Sequence, residues 1–473
     1  MNLRISEAHY KILRQAASVS FRPAVEQRSE TGCILTFGGN GHLTNPSLLV
    51  TEVMMPGRGD LSESCRDGLV FSAGFLRKAL LRCRDRGFLG FLTVHTHPLS
   101  TEQVAFSQYD DEQDPRLMRN LYDLQPGGIF GSLVLGRDCI AGRTWTGDGL
   151  QPQGLDHLVV VGETVQTISL RGDALTHTAS GSEIFDRGLA ITGTGALASL
   201  SQMRIGVVGL GGTGSLMVEL LMRAGVAEIV AFDFDVAERS NLNRVLHLRE
   251  SDVRAGRQKT ERFAEVIAGC ELPTRLTVVR GGDIRDADVA VQLRECDLIV
   301  GCVDRDWPRM ILSEVSYRYL IPVVDVGTEI GFAGDQVQSL DSRVSLIGPG
   351  RPCLVCSGVV SRERVRLEGY SPAEQHRVLS MGYSADITLK APAVMDLNMR
   401  AASMAMLVIR HLLQPYLLTP LPHSIREAIT NFSMRTLRHT SLVDCPICRP
   451  ERIGLGDGAP LTTRRHEPRA NDA

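Results

Sequence analysis

Short apolar runs separated by turn residues dominate the first 170 residues of the chain. Glu7 to Ala17 carries apolar positions at helical spacing and predicts an early helix. Ile34 to Phe37 and Phe88 to His97 are apolar runs that predict strands, and His157 to Val161 predicts the last strand of this region. The pattern therefore indicates an α/β or α+β domain at the start of the chain.

Strands and helices alternate in the second half of the chain. Ile205 to Val208 predicts a strand, Ser215 to Ala224 a helix, and Ala227 to Asp233 a second buried strand. Three later apolar runs also predict strands: Asp297 to Val303, Ile321 to Val326 and Ser339 to Ile347. Ala393 to Leu413 predicts a long, mostly apolar helix whose methionines we interpret as packing. This alternation is typical of an α/β domain with a parallel sheet.

Length and composition favour an ordinary two-domain protein. A chain of 473 residues exceeds one comfortable core, and 43% hydrophobic with 22% charged residues is typical of soluble proteins. A net charge of -3 with intermixed signs gives no reason to expect nucleic acid as a partner. The sequence shows neither a signal-peptide core nor an apolar run of membrane-helix length, so we expect a cytoplasmic protein.

A glycine-rich turn follows the strand at Ile205 to Val208. Gly209, Gly211 and Gly214 have the GxGxxG spacing, which lets the backbone turn tightly and approach a phosphate at the start of the following helix. Asp233 ends the next strand, where an acid can hold a ribose hydroxyl. These features alone would also suit an NAD site.

Polar residues beyond Asp233 favour ATP over NAD. Asn241 and Arg244 lie in SNLNR, Lys259 follows in GRQK, and Asp304 follows the strand DLIVGCV. A hydride-transfer enzyme has no need of these groups. An enzyme that attacks ATP with a carboxylate does need them, because cations must neutralise the triphosphate and an acid must hold Mg2+.

At these residues the chain resembles the ThiF/MoeB adenylyltransferases, the family that includes the ubiquitin-activating enzymes. The resemblance runs from about Glu183 to Pro450 and implies a Rossmann-like domain. It implies that Asp233 binds ribose, that Asp304 is the magnesium-linked acid, and that three residues contact the phosphates: Asn241, Arg244 and Lys259. In relatives an arginine at the position of Arg187 reaches the ATP of the neighbouring subunit, which implies a homodimer.

The strand ending in FLGFLTVHTH carries two histidines on one face. His95 and His97 are two residues apart in a strand, so their imidazoles point the same way, and Asp110 follows in an SxxD spacing with Ser107. Two imidazoles and one carboxylate are three ligands for Zn2+, which leaves a fourth position for water. Glu30, just before a strand, is the candidate acid that accepts the proton of that water.

This constellation resembles the JAB/JAMM metalloprotease family over roughly residues 1 to 165. The resemblance implies zinc held by His95, His97 and Asp110, a water deprotonated by Glu30, and an oxyanion steadied by the hydroxyl of Ser107. The spacing between His97 and Ser107 is slightly longer than in the eukaryotic deubiquitinating members. A domain that has lost activity and only binds remains an alternative.

The chain has 11 cysteines, and four of them form two CxxC pairs. Cys353 with Cys356 and Cys445 with Cys448 suit a closed tetrahedron of four thiolates, which predicts a structural zinc. We interpret the others as mostly buried small apolar residues: Cys33, Cys65, Cys83, Cys139, Cys270, Cys296 and Cys302.

The segment between the CxxC pairs lacks the nucleophile of ubiquitin-activating enzymes. Those enzymes carry a cysteine after the first CxxC, whereas residues Ser357 to Asp444 contain none. A thioester at the usual place is therefore excluded. Cys302 precedes Asp304 by two residues and would lie near an adenylate, but as a strand residue we assign it to the core.

These motifs predict four segments: a JAB-like domain at 1–170, a linker at 171–182, a ThiF/MoeB-like domain at 183–453, and a disordered tail at 454–473. The two resemblances imply one bifunctional, bacterial-type enzyme that processes a ubiquitin-like β-grasp protein and adenylates its C-terminal glycine with ATP, Mg2+ and Zn2+. Sulfur-carrier activation for cofactor or cysteine biosynthesis and a non-catalytic nucleotide-binding scaffold are the alternatives. The sequence leaves open the identity of the carrier and whether a conjugating enzyme follows.

Overall fold

The computed structural model describes residues 1–21, 29–39, 47–64, 68–145, 151–173, 183–185, 187–188, 195, 197–380, 393–458 and 460–464. The chain divides into two compact units. The first comprises residues 1–176, 318–320 and 450–459, and the second comprises 177–317, 321–449 and 460–473. The predicted linker lies mostly outside the described residues, since only 171–173 of it are described.

The described helices are α1 (Glu7–Ser18), α2 (Ala73–Arg86), α3 (Gln108–Leu124), α4 (Gly212–Arg223), α5 (Glu250–Arg254), α6 (Lys259–Gly269), α7 (Ala287–Ala290), α8 (Asp306–Tyr319), α9 (Arg362–Glu368), α10 (Pro372–Ser380) and α11 (Met395–Leu413). The described strands are β1 (Asn2–Ser6), β2 (Gly32–Gly39), β3 (Ser47–Met54), β4 (Leu61–Ser64), β5 (Leu69–Phe71), β6 (Gly90–Thr96), β7 (Ile129–Leu135), β8 (Ile140–Trp145), β9 (Gln153–Gly154), β10 (His157–Val161), β11 (Val165–Ser169), β12 (Arg204–Val208), β13 (Glu228–Phe232), β14 (Arg275–Val278), β15 (Leu298–Gly301), β16 (Val323–Ala333), β17 (Gln336–Ile347), β18 (Ser424–Ala428) and β19 (Ser433–Leu437). None of the described helices combines the length and the apolar character that crossing a bilayer requires.

A mixed sheet forms the first unit. Its described strands run in the order β11-β10-β1-β3-β2-β6-β7-β8-β9, so β6 lies between β2 and β7 near the middle. β6 is buried along its whole length and pairs antiparallel with β2, with Gly32 opposite His95. Helices α2 and α3 pack on the sheet through Phe75, Ala79 and Met118. The end of β6 is therefore held rigidly where the two histidines lie.

The second unit contains a doubly wound sheet with an antiparallel extension. The described order is β14-β13-β12-β15-β16-β17-β18-β19, and the strands from β14 to β16 are parallel. β12 lies between β13 and β15, so the order reverses at β12 and β15. In open α/β sheets the carboxyl ends of strands at such a reversal form a crevice that binds ligands. The predicted Rossmann-like α/β class is confirmed for this unit.

Helices α4 and α11 cover this sheet around one apolar core. Met217, Leu221, Ala401 and Ala405 are fully buried within it, together with Val207 of β12. The sequence predicts that α4 begins at Ser215, whereas it begins at Gly212. The glycine turn thus runs directly into the helix, and its last residues form the first helical turn.

The chain beyond Pro450 differs from the predicted disordered tail. In the first unit Leu455 packs against the core of β2, β6 and α2, and Gly456 lies against the backbone of Gly39. In the second unit Thr462 bonds the carboxylate of Glu314 through its backbone nitrogen at 2.8 Å. The prediction is therefore wrong for the described residues of this segment, because Leu455, Gly456 and Thr462 each contact a folded unit. Residues 459 and 465–473 lie outside the described range.

Candidate functional site

The glycine turn between β12 and α4 closes tightly against the neighbouring strand. Gly209 has a φ of 88°, a left-handed conformation that favours glycine, and a side chain there would meet the carbonyl oxygen of Cys302 at 2.8 Å. At Gly214 a Cβ would lie 1.8 Å from the carbonyl oxygen of Gly209. Beside Gly211 no atom of the described chain lies within 4 Å of a Cβ. The turn is therefore packed on its inner side and open at Gly211, at the start of α4.

Asp233 lies at the end of β13 and bonds the glycine turn directly. Its carboxylate accepts from the backbone nitrogen of Leu210 at 2.5 Å and from that of Asp235 at 2.8 Å. Burial raises the pKa of Asp233, and the nearby charge of Lys259 partly opposes this rise. This buried acid at the rim of the turn is where the sequence predicts a ribose contact.

The cations predicted to contact phosphate lie around the same turn. The ammonium of Lys259 is buried and donates to the exposed carboxylate of Asp235 at 2.7 Å. The Cγ of Arg244 lies 3.4 Å from the position a Cβ would take on Gly212, and its guanidinium donates to the side chain of Asn243 at 3.1 Å. Lys259, at the start of α6, therefore lies beside the residues that follow β13, and Arg244 lies beside the start of α4.

Asn241 and Asp304 occupy different surroundings. Asn241 is buried, and its side-chain oxygen accepts from the backbone nitrogen of Glu238 at 3.2 Å, so it stabilises the turn that carries Arg244. Asp304 is exposed, three residues beyond the end of β15. It directly follows Val303, whose Cγ1 lies 3.4 Å from the position that a Cβ would take on Gly209. The structure thus places the predicted magnesium-linked acid at the strand reversal, beside the turn.

Two acids that sequence reasoning missed hold the backbone next to Asp304. Glu368 of α9 accepts from the backbone nitrogens of Asp306 and Trp307, both at 2.9 Å, and so caps the start of α8. The carboxylate of Asp306 accepts from the backbone nitrogen of Ser361 at 2.8 Å and from the guanidinium of Arg364 at 2.7 Å. No local pattern could reveal these contacts, because each joins residues more than 50 positions apart.

A second cluster, in the first unit, brings together the predicted zinc ligands. The Nε2 atoms of His95 and His97 are 3.2 Å apart, and they lie 3.2 Å and 3.5 Å from the two carboxylate oxygens of Asp110. Burial raises the pKa of Asp110, but hydrogen bonds from both histidines outweigh burial and hold that pKa well below its usual range. The three ligand atoms converge on one point, as a bound cation requires.

Glu30 and Ser107 border this cluster in different ways. The carboxylate of Glu30 is buried and lies 4.0 Å from Nε2 of His97. Thr31 next to it donates its backbone nitrogen to the hydroxyl of Thr96 at 3.0 Å, which fixes Glu30 beside β6. The hydroxyl of Ser107 donates to Asp110 at 2.7 Å and also caps α3. Ser107 therefore orients a ligand of the cluster, while its predicted contact with an oxyanion stays a prediction.

The four paired cysteines meet although 88 residues separate the two pairs. The sulfurs of Cys353 and Cys445 are 3.6 Å apart, as are those of Cys356 and Cys448. Four sulfurs bound to one zinc at about 2.3 Å would lie roughly 3.8 Å apart. The hydrogen bond with Cys353 lowers the pKa of Cys448. The cluster thus has the composition and spacing of a four-thiolate metal site.

The other predicted residues have simpler surroundings. Arg187 is described and exposed, and its predicted role toward a neighbouring subunit stays a prediction. Four of the remaining cysteines are buried, as predicted: Cys33, Cys83, Cys139 and Cys296. Cys270 and Cys302 are only half-buried, and Cys65 lies outside the described residues.

Curated relatives resemble part of the chain. Molybdopterin-synthase adenylyltransferase of Escherichia coli (strain K12) is 30% identical over 159 residues, covering 33% of this chain and 59% of that protein. Ubiquitin-like modifier-activating enzyme 5 of Oryza sativa subsp. japonica is 26% identical over 201 residues, covering 38% and 45%. SAMP-activating enzyme E1 of Haloferax volcanii is 29% identical over 157 residues, covering 33% and 54%. The chain spans about half the length of the curated relatives it matches.

Among solved structures, E. coli MccB with AMPCPP and MccA is similar at 18% identity, with a TM-score of 0.45 over 56% of this chain and 74% of that one. The sequence model of the ThiF family matches residues 185–441. The match does not include the histidine cluster, so the interpretation of that cluster rests on its own residues. Because the match spans more than half of the sequence, the chain belongs to the ThiF family.

Proposed function

We propose that the second unit adenylates the C-terminal carboxylate of a small carrier protein of the ubiquitin-like or sulfur-carrier kind. The observation that carries this proposal is the set of groups around the glycine turn. Asp233 is bonded to the turn, and Arg244 and Val303 each have a carbon 3.4 Å from the position that a Cβ would take on Gly212 and on Gly209, respectively. Asp304 directly follows Val303. The names of the relatives support the substrate class, since two are activating enzymes and one is an adenylyltransferase.

In the proposed adenylation reaction each of these groups has one role. A carboxylate oxygen of the carrier bonds to the α-phosphorus of ATP, the bond to the bridging oxygen of the β-phosphate breaks, and pyrophosphate leaves. Asp233 accepts from a ribose hydroxyl, and Lys259 and Arg244 stabilise the negative charge on the phosphates. Magnesium bound through Asp304 would supply further neutralisation. Lys259 reaches the phosphates by exchanging its present partner, the exposed Asp235.

Pyrophosphate exchange tests this proposal. The protein should incorporate labelled pyrophosphate into ATP when it is given a glycine-ended carrier from its own genome, and Asp304→Ala should abolish the exchange. Asp335→Ala is the matched control, because Asp335 is an exposed acid in the turn between β16 and β17. Exchange that survives Asp304→Ala would refute the assigned role of this acid. Tighter binding of NAD than of ATP would refute the adenylation proposal. ATP binding without exchange for any carrier would favour the scaffold alternative.

Sulfur-carrier activation is the alternative within the same chemistry. Both versions share the adenylate and differ in what attacks it. Sulfide would give a carrier thiocarboxylate, whereas an amine would give a covalent conjugate. Mass spectrometry of the carrier after incubation with ATP and each acceptor distinguishes the two products.

We further propose that the first unit hydrolyses the peptide bond that follows the carrier's C-terminal glycine. The convergence of His95, His97 and Asp110, with Glu30 at 4.0 Å from His97, supports this second activity. Zinc held by these three ligands would lower the pKa of a bound water toward about 7. Glu30 would accept the proton of that water as it attacks the carbonyl, since this carboxylate is buried beside the cluster and is not needed as a ligand.

Metal content and cleavage together test the second activity. Glu30→Ala should keep the zinc and stop cleavage of a carrier extended at its C-terminus. His95→Ala should lose both the zinc and the cleavage. Both variants should keep pyrophosphate exchange, because Glu30 and His95 belong to the first unit and the exchange site to the second. A wild-type protein that binds zinc here but cleaves no extended carrier from its own genome would favour a binding-only domain.

A further inference from the structure

Helix α11 carries one amide on the face it buries. Asn398 is only 2% exposed, and its neighbours on that face are apolar: Leu397, Ala401, Ala402 and Ala405. Burying an amide without hydrogen-bond partners costs free energy, because the group loses its hydrogen bonds to water and gains none in the protein. Its place in the core therefore requires that each of its polar atoms has a partner in the working protein.

The oxygen of this amide is fully used. Oδ1 of Asn398 accepts from the hydroxyl of Thr213 at 3.3 Å and from the hydroxyl of Thr328 at 3.2 Å. Thr213 belongs to the first turn of α4, and Thr328 lies in β16. These two donors, one on each side, fix the plane of the amide and decide which way its nitrogen points.

The nitrogen of the amide points into the glycine turn. Nδ2 of Asn398 lies 2.2 Å from the position that a Cβ would take on Gly212, so it fills the space that a side chain would occupy there. Cγ of Arg244 lies 3.4 Å from the same position. Within the described part of the chain, Nδ2 has no hydrogen-bond acceptor. A donor without an acceptor therefore lies beside the arginine assigned to phosphate.

We propose that Nδ2 of Asn398 donates a hydrogen bond to a phosphate oxygen of the nucleotide at the glycine turn. The proposal rests on the adenylation function argued above and adds a phosphate-binding residue to it. The NH2 group only donates, so its partner must be an acceptor, and an anionic oxygen gives the stronger bond. Phosphate is favoured over ribose because Asp233, the residue assigned to ribose, bonds the turn at Leu210, whereas Nδ2 lies at Gly212, the first residue of α4, where the N-terminus of the helix favours an anion.

Nucleotide titration of the full-length protein tests the proposal. Asn398→Ala removes the donor, and Asn398→Asp keeps oxygen atoms for both threonines while it replaces the NH2 group with negative charge. We expect Asn398→Ala to weaken ATP binding about tenfold or more, because a hydrogen bond to a charged group is lost, and Asn398→Asp to weaken it further. Both variants should bind adenosine as the wild type does, since adenosine has no phosphate.

Arg400→Ala is the matched control on the same helix. Arg400 is exposed and pairs with Glu427 at the surface, so its loss should leave ATP and adenosine binding unchanged. Equal weakening of ATP and adenosine in the Asn398 variants would show a structural role and overturn the proposal. Unchanged ATP binding in a folded Asn398→Ala would also overturn it. Failure of the wild type to bind ATP would instead refute the proposed function, and this proposal with it.

Discussion

At the scale of single residues, the thiol of Cys302, two residues before Asp304, is not activated as a nucleophile. Burial raises the pKa of Cys302 far above its usual range, and the carboxylate of Asp325 raises it further. A thiol that stays protonated at neutral pH reacts slowly with an activated acyl group. We therefore assign Cys302 a packing role at the glycine turn. Its carbonyl oxygen lies 2.8 Å from the position that a Cβ would take on Gly209.

We expect Cys302→Ala to retain pyrophosphate exchange. Neither the wild type nor the variant should form a thiol-sensitive adduct with the carrier at this position, because the thiolate is scarce. Mass spectrometry of the protein after incubation with carrier and ATP, without reducing agent, measures the adduct. An adduct that forms in the wild type but not in Cys302→Ala would show that Cys302 acts as a nucleophile and forms a thioester.

Individual residues were predictable where chemistry and local spacing coincide. His95 lies in β6, His97 directly follows that strand and Asp110 lies in the next helix, so the HxH and SxxD spacings identify the set before the fold brings it together. Asn398 was missed because its partners Thr213 and Thr328 are 185 and 70 positions away. In the sequence it is one polar residue in an apolar helix, and such a residue is indistinguishable there from ordinary packing.

At the scale of elements, the two CxxC turns tie the segment after β19 to the segment after β17. Cys445 is fully buried against Cys353, and the backbone nitrogen of Leu442 donates to the sulfur of Cys356 at 3.3 Å. Each pair alone is a short turn with no core of its own. A metal shared by both pairs would contribute directly to folding.

Cys445→Ser should remove about one zinc per chain and lower the thermal stability of the second unit, since a structural metal is lost. Metal analysis of the purified protein and a thermal melt measure the two effects. Cys296→Ser is a suitable comparison, because Cys296 is a buried cysteine outside the cluster. Unchanged zinc in Cys445→Ser would count against a four-thiolate site.

A second element, residues 460–464, docks through charge. The guanidinium of Arg285 donates to Asp283 at 2.7 Å, and that of Arg464 donates to the same carboxylate at 3.1 Å. Burial raises the pKa of Asp283, but the hydrogen bonds from Arg285 outweigh it and the net pKa is lowered. Arg285 also lies 5.6 Å from the ring of Phe234, next to Asp233. This network therefore connects the docked segment to the edge of the proposed ribose site.

The lowered pKa of Asp283 predicts a pH dependence of stability. A carboxyl whose folded pKa is depressed contributes stability above its unfolded pKa of about 3.9, and this contribution is lost as pH falls through the folded value. Asp283→Asn should therefore lower the free energy of unfolding at pH 7 by roughly 1–3 kcal/mol, and the difference should shrink below about pH 3.9. Denaturant titrations across pH measure it, with Asp335→Asn as the exposed control. A difference that is constant with pH would contradict the assignment.

At the scale of the whole molecule, the sequence predicted two domains and the class of the second. It could do so because the glycine turn, the acid after β13 and the alternation of strands and helices are local signals. The assignment of residues 450–459 to the first unit was not predictable. It depends on Leu455 and Gly456 fitting against β2 and the core beneath it, contacts about 400 positions apart that leave no local pattern.

Arg187 is the residue that the resemblance to the ThiF/MoeB family assigns to a neighbouring subunit. It is exposed at the start of the second unit and far in sequence from Asp304. We propose that it serves the ATP of a partner subunit in a homodimer, as the resemblance implies. Each active site would then take Asp304 from one chain and Arg187 from the other. A variant that lacks Arg187 and a variant that lacks Asp304 should therefore restore one active site when they form a dimer together.

Mixing inactive variants tests this arrangement. Arg187→Ala and Asp304→Ala should each lose pyrophosphate exchange when they are alone. After the two are unfolded and refolded together, half of the dimers should be mixed, and each mixed dimer should contain one intact site. Exchange should then return to about a quarter of the wild-type value, because one site in four is complete. The control refolds each variant by itself, and light scattering measures the oligomeric state. No recovery in a mixture shown to contain dimers would mean that Arg187 acts within its own chain or not at all.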